Sequence, residues 1–371
     1  MLRSSLIVGA LLSCACHSHE VAASAPLHER GVAFERTTLS VEFTCEGATF
    51  ADFDRDGHTD VAAGPYWYAG PDFARRAEIY APAPFTPAGY SDNFFAWPRD
   101  FDGDGWLDVL VVGFPGKQAY WYRNPLGASD AANTHWERSL VFAAVDNESP
   151  WFTDVTGDGA PELVFNTKGR FGWAEPDAVD ARAPWSFHAL SAPLPIGPFT
   201  HGLGVGDVDG DGRNDVLWKD GWFEQPATLA ALPEWTVHAF AFSDREGGAQ
   251  MHVFDVDGDG DNDVVSALAA HNFGLAWFEH VERDGALTFV EHRFMDDEPG
   301  DNAQGVYFGE VHAVDVGDVD GDGLLDVIAG KRWWSHGAKG DPEPGAPALL
   351  YWFGRTPGAN GSITWVGHRI D

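Results

Sequence analysis

A nine-residue acidic segment recurs six times along the chain and constrains its fold more than any other feature. It is most regular at Asp207-Val208-Asp209-Gly210-Asp211-Gly212-Arg213-Asn214-Asp215, where it reads D-x-D-x-D-G-x-x-D. The copies begin at Asp52, Asp100, Asp154, Asp207, Asp255 and Asp318, at intervals of 48, 54, 53, 48 and 63 residues. Positions 1, 3, 5 and 9 put carboxylates around one point, and the glycine at position 6 permits the sharp turn that brings them there. Carboxylates packed in this way repel one another unless a cation lies between them. Oxygen donors on a flexible loop suit calcium, whereas magnesium demands a stricter octahedron and fewer protein ligands. An EF-hand is excluded: the twelfth-position glutamate is not regular, and the segments run into β-branched strand starts such as Asp215-Val216-Leu217-Trp218 rather than into amphipathic helices.

The expected metal ligands follow position by position. They are Asp52, Asp54, Asp56 and Asp60; Asp100, Asp102, Asp104 and Asp108; Asp207, Asp209, Asp211 and Asp215; Asp255, Asp257, Asp259 and Asp263; and Asp318, Asp320, Asp322 and Asp326. The third copy, with Asp154, Thr156, Asp158 and Glu162, departs at two positions and is expected to bind more weakly.

Each loop is accompanied by four short apolar and aromatic stretches. In the fourth copy they are Leu203 to Val205, Val216-Leu217-Trp218, Gly221-Trp222-Phe223-Glu224 and Trp235-Thr236-Val237-His238. One four-stranded unit per repeat predicts an all-β chain, a β-propeller of four-stranded blades with the acidic loop between the first and second strand of each. Six complete units favour six blades, with a seven-bladed ring as the alternative. On this reading residues 32–371 form one propeller domain and residues 1–31 a processing signal and tether.

That N-terminal stretch carries Arg3, an apolar run from Leu6 to Leu12, and Leu11-Leu12-Ser13-Cys14, which resembles a bacterial lipobox with Cys14 as the acylated residue. A competing cleavage follows Ala25. The run is too short to span a membrane. The expectation is an extracytoplasmic protein, either a lipoprotein anchored at the outer membrane or a secreted one. Only three cysteines are present, so no disulfide framework is implied. The formal net charge is -34. Bound cations would offset part of it, but the remaining negative field argues against nucleic acid as a partner.

If the first strand of each unit lines a channel, the residues six places ahead of each loop form a ring: Glu46, Phe94, Glu148, His201, Ala249 and His312. His201, His312 and Glu148 are the candidate catalytic residues. Imidazoles with a carboxylate can hold zinc or another divalent ion, bind a sugar with a histidine as base, or satisfy one another in a wet channel. Lys168, Lys219 and Lys331 follow second strands, where a cation can stabilise an enolate. Trp333 and Trp334 are candidates for stacking on a sugar ring. His188, His238, His292 and His368 sit on fourth strands and read as structural.

The loops and their period resemble the integrin-type FG-GAP/VCBS repeat family, which implies a propeller with calcium in the loops. A narrower resemblance, carried by His201-Gly202-Leu203-Gly204-Val205-Gly206-Asp207, Gly221-Trp222-Phe223-Glu224-Gln225-Pro226, His312 and Gly330-Lys331-Arg332-Trp333-Trp334, is to the propeller domain of aldos-2-ulose dehydratase and its bacterial relatives. It implies proton abstraction beside a carbonyl of a keto-sugar. Three functions stay open on the sequence: an extracytoplasmic calcium-stabilised carbohydrate binder, a keto-sugar dehydratase or carbohydrate lyase, and a structural or cell-surface protein-interaction module.

Overall fold

The computed structural model describes residues 32–127, 135–296, 298, 305–332, 336–337, 339–358 and 362–371. The lipobox with Cys14, the alternative cleavage after Ala25, and Trp333 and Trp334 lie outside the described residues. Among those described, the fold is all-β, with a single 3-10 turn at Pro125–Gly127. No helix among them is long and apolar enough to cross a membrane.

The strands make four sheets of 4, 7, 8 and 4 strands. The first orders Ala48–Ala51, Asp60–Ala63, Tyr66–Ala69 and Arg75–Glu78, and the last Ala313–Gly317, Asp326–Lys331, Leu349–Pro357 and Ile363–Arg369. The seven-stranded sheet runs from Phe95–Arg99 through Asp108–Val112, Lys117–Arg123, Glu137–Thr153, Glu162–Thr167 and Arg170–Glu175 to Ser186–Ala189. The eight-stranded sheet joins Leu203–Gly206, Asp215–Trp218, Gly221–Glu224 and Thr236–Ala239 to Gln250–Phe254, Asp263–Ala267, Leu275–Arg283 and Ala286–Met295.

This topology corrects the expected architecture. The β-propeller of separate four-stranded blades, whether six or seven, and the evenly repeated FG-GAP/VCBS unit behind it, are not what the sheets form. Two features account for the difference. Glu137–Thr153 is one 17-residue strand where two shorter ones were expected, so it continues from one meander into the next. Leu203–Gly206 pairs in parallel with Gln250–Phe254, which fuses two meanders into one sheet. Side-chain alternation fixes which face of a strand is buried, but not which neighbour takes its hydrogen-bonding edge.

Contact density divides the chain into two compact units. One contains Glu35–Val145 and Ala174–Ser186, and the other Asp146–Trp173 and Phe187–Asp371. The first unit packs Phe53, Trp67, Ile79, Val109 and Trp136 into one core. Apolar clusters of the second form around Phe171, Trp173 and Trp235, around Trp222, Phe242 and Phe278, and around Trp277, Phe353 and Trp365. Large aromatic side chains carry most of that burial. Three fourth-strand histidines belong to this framework. His238 stacks on Trp222 at 4.2 Å, His292 on Trp277 at 4.4 Å and His368 on Trp352 at 4.2 Å. His238 and His292 also reach Glu224 and Glu279, each at 2.7 Å.

Every acidic segment closes an antiparallel hairpin. The residue before position 1 pairs with position 9, as in Ala51↔Asp60, Arg99↔Asp108, Thr153↔Glu162, Gly206↔Asp215, Phe254↔Asp263 and Gly317↔Asp326. The position-9 carboxylate is buried and accepts the backbone N–H of position 2, for example Val208 to Asp215 at 2.9 Å and Val256 to Asp263 at 2.8 Å. In the hairpins of Asp60, Asp108, Asp215 and Asp263 the other oxygen holds the end of the third strand, as Asp215 does with the Gln225 N–H at 2.9 Å. Side chains then tie successive loops together. Asn124 donates to the carbonyls of Phe53 and Leu107, both at 2.9 Å. Gln225 donates to Val155 and Asn214, and Arg355 to Val256 and Leu325. These bonds satisfy buried carbonyls that no strand partner reaches.

Candidate metal and catalytic site

The most concentrated chemistry of the second unit lies on segments just outside its strands and at a break in the register of one of them. Glu148 sits in the long strand where its register against Glu162–Thr167 shifts between Asp146 and Trp151. Asn147 there has a left-handed φ of 88° and its side chain bonds Asn166 at 3.0 Å. Such an irregularity re-aims the next side chain out of the strand's alternation. His201 precedes Leu203–Gly206, and its carbonyl packs so closely on Gly247 that a Cβ there would lie 2.6 Å away. His271 follows Asp263–Ala267 and is held by Ala270 N–H to Gly247 O at 2.7 Å and by its own N–H to Glu246 at 2.9 Å. The chain before His312 is tied to the same turn through Glu310 N–H to Asn272 O at 2.7 Å.

These anchors bring three imidazoles together. His201 Nε2 and His271 Nε2 are 2.9 Å apart. The His312 ring centroid lies 5.6 Å from that of His201 and 4.9 Å from that of His271. One ligand atom from each of the three falls within 4.8 Å of the others. His312 Nδ1 is 3.1 Å from the Glu310 carbonyl, which fixes Nδ1 as the N–H and leaves Nε2 with its lone pair. Glu148 stands beside the cluster, 3.8 Å from His201 Nδ1.

The electrostatics separate these groups by role. Burial, reinforced by the neighbouring imidazoles, pushes His201 down to about 2 and His312 to about 4, and lowers His271 as well. All three are therefore neutral near pH 7. Burial pushes Glu148 up to about 7, against the opposing influence of His336. Next to the cluster, His336 Nδ1 donates to Asp341 Oδ1 at 2.9 Å, and the His336 and His271 rings are 4.2 Å apart. A buried ionic group adjoins Asp341. Lys331 Nζ lies 3.9 Å from Glu310 and 3.7 Å from Glu343, and neither Nζ nor the two Glu310 oxygens has a hydrogen-bond partner. Burial first, then the Asp341 and Glu343 charges, raises Glu310 to about 7 despite Lys331.

Carboxylates of the acidic loops also converge. Asp52, Asp54 and Asp60 form one group able to hold a divalent ion, Asp100, Asp102 and Asp108 another, and Asp154, Asp158 and Glu162 a third. Their all-oxygen donor sets fit a hard cation. Arginines share some of these carboxylates: Arg75 reaches Asp54, Arg123 reaches Asp102 and Asp104, and Arg213 reaches Asp211.

An FG-GAP-like repeat model matches the chain at residues 100–165 and 255–329, which is less than half of it. No curated protein matches. Among solved structures, the chain is similar to a lectin of Agrocybe aegerita studied for specific recognition of non-reducing terminal N-acetylglucosamine. Identity is 17%, the TM-score is 0.49, and the alignment covers 87% of this chain and 79% of that one. It is also similar to the V. cholerae biofilm matrix protein Bap1, at 17% identity and a TM-score of 0.34, over 69% of this chain and 36% of that one. Scores this low carry no argument about ligands, so the functional reading rests on the side chains.

Of the residues singled out by sequence, Glu148, His201 and His312 meet in this one cluster. Another histidine, His252 of the strand Gln250–Phe254, lies apart from them: its Nε2 bonds the Val314 carbonyl at 3.0 Å and its ring packs on Trp151. Lys219 Nζ pairs with Asp220 at 2.7 Å. His271, Asp341 and Glu310 were missed. They lie on turns after second strands or ahead of a first strand, where strand periodicity gives no register. The signal that was available is the run of polar, titratable residues inside otherwise apolar connections, as in Ala270-His271-Asn272.

Proposed function

We propose that His201, His271 and His312 bind a divalent transition ion, zinc being the best fit, in a lyase acting on a hydroxylated carbonyl compound of the carbohydrate class. The observation that carries this reading is three neutral imidazoles converging beside a carboxylate whose proton affinity lies near pH 7. Three protein nitrogens leave a coordination place open, the arrangement typical of catalytic rather than structural zinc. Such an ion would supply Lewis acidity to a carbonyl oxygen.

The chain's own residues do the rest. His201 and His312 are too weakly basic to serve as proton acceptors, so the role expected of them passes to Glu148. Its carboxylate takes the proton from the carbon next to the carbonyl. A carbon–carbon double bond forms as the neighbouring C–O bond breaks, and the proton on Glu148 leaves with the departing hydroxyl as water. Lys331 and Glu310, a buried ion pair whose charged atoms make no hydrogen bond, suit the remaining hydroxyls of the ligand. Calcium in the acidic loops would stiffen the hairpins that carry these segments, and an extracytoplasmic location, lipid-anchored or secreted, would supply it.

The test uses zinc-loaded protein in excess calcium with an aldos-2-ulose as substrate, following enone absorbance. Wild type should turn over, and Glu148→Gln should lose about 10²–10⁴-fold in kcat with unchanged zinc content. Absence of turnover by zinc-loaded wild type, or full activity of Glu148→Gln, would overturn the lyase reading. Sugar binding without turnover would leave a lectin-like role in its place.

A further inference from the structure

We propose that the His271 ring stands between two metal positions, the second formed by its Nδ1 together with His336 and Asp341. This extends the three-histidine reading, because His271 is common to both. Its two nitrogens face different groups, and holding an ion at each requires the ring to release its N–H proton to solvent and bridge as the imidazolate. Nε2 lies 2.9 Å from His201 Nε2, while Nδ1 lies 3.7 Å from Asp341 Oδ1. Nδ1 is buried and has no hydrogen-bond partner. Asp341 Oδ1 is in turn 2.9 Å from His336 Nδ1. Ligand atoms of His271, His336 and Asp341 fall within 4.8 Å of one another.

Without an ion, the His336 Nδ1–H bond fills this contact with Asp341, and an ion binding there would displace that proton. Around a tetrahedral ion with bonds of about 2.0–2.1 Å, ligand atoms lie about 3.3 Å apart. The separations of 2.9 and 3.7 Å bracket that value. The donor set, two imidazoles and a carboxylate, suits zinc or cobalt. The Asp341 side chain is fully buried and is held in place by the backbone N–H and the ring Nδ1 of His336. His336 is 44% exposed, so this second position opens to solvent and keeps room for water.

Cobalt(II) titration of the full chain, with calcium in excess to occupy the acidic loops, tests the proposal. The readouts are visible absorption and the EPR signal. Wild type should take two equivalents at the histidines, with EPR intensity falling as the second ion couples magnetically to the first. Asp341→Asn and His336→Ala should each take one equivalent with the first site's spectrum intact, and His271→Ala should lose both. The proposal is overturned if wild type takes one equivalent, or if Asp341→Asn and His336→Ala both still take two. Loss of the first site's spectrum in His201→Ala is required by the three-histidine reading itself, so cobalt spectra unchanged in that variant would sink that reading separately.

Discussion

Gly212, at position 6 of the fourth acidic loop, has φ of +85°, and a Cβ there would meet nothing within 4 Å. Its role is therefore backbone conformation alone. The same position has positive φ in all six loops, at Gly57, Gly105, Gly159, Gly212, Gly260 and Gly323. An L side chain in this region costs about 1–2 kcal/mol. Gly212→Ala should lower the unfolding free energy from urea titration by that amount, whereas Gly317→Ala, which also meets open space but lies in a strand, should be neutral or slightly stabilising. Equal effects of the two substitutions would show that the loop conformation is not what the glycine serves. This requirement was legible in the sequence at position 6. The matching demand at position 4, where Arg55 holds φ of 61° and the other five loops carry glycine, was not, because the D-x-D-x-D pattern was read for its carboxylates. At the cluster, proximity of His201, His312 and Glu148 came from counting back from each loop. Their roles did not, since only burial shows that the imidazoles stay neutral while the carboxyl holds its proton near neutrality.

At the level of the hairpin, the position-9 carboxylate serves as an internal clamp as well as a candidate ligand. Burial raises Asp108, Glu162, Asp215 and Asp263 to about 7 and Asp326 to about 6 in the metal-free fold. An acid whose folded pKa lies above its unfolded value, about 4 for these carboxyls, binds more protons folded than unfolded between the two. Its favourable contribution is complete below about pH 4 and is lost as pH rises through 6 to 7. With a chelator present, Tm should therefore rise as pH is lowered from 8 to 5. Calcium should raise Tm strongly at pH 8, where the carboxylates are ionised, and less at pH 5, where protons compete. A chelated protein whose Tm falls on the same acidification, or a Tm indifferent to calcium at pH 8, would contradict this account of the loops. The four-strand meander around each loop was visible in the sequence as a period. What the period hides is the edge: nothing in the alternation of Ala144-Val145-Asp146-Asn147 marks a strand that runs on without a break, and nothing in Leu203–Gly206 marks a parallel partner.

Across the whole molecule, the hairpins form the framework, and the titratable cluster sits on the segments that lead into and out of them and at the register break of the long strand. Glu148, His201, His271, His312, His336 and Asp341 all belong to the unit formed by Asp146–Trp173 and Phe187–Asp371. That so few of them could be found beforehand has a physical reason. Strand residues are constrained by a two-residue repeat, whereas the turn carrying His271 is placed by single contacts with Gly247 and Glu246, which no local pattern encodes. The central claim is that the histidine cluster, and not the acidic loops, is the transition-metal site. An anomalous-difference map at the zinc edge, from crystals grown with zinc and excess calcium, tests it most directly. The account predicts a peak bounded by nitrogens of His201, His271 and His312 at about 2.0–2.1 Å. Zinc peaks confined to the aspartate loops, with no density among the three imidazoles, would contradict it.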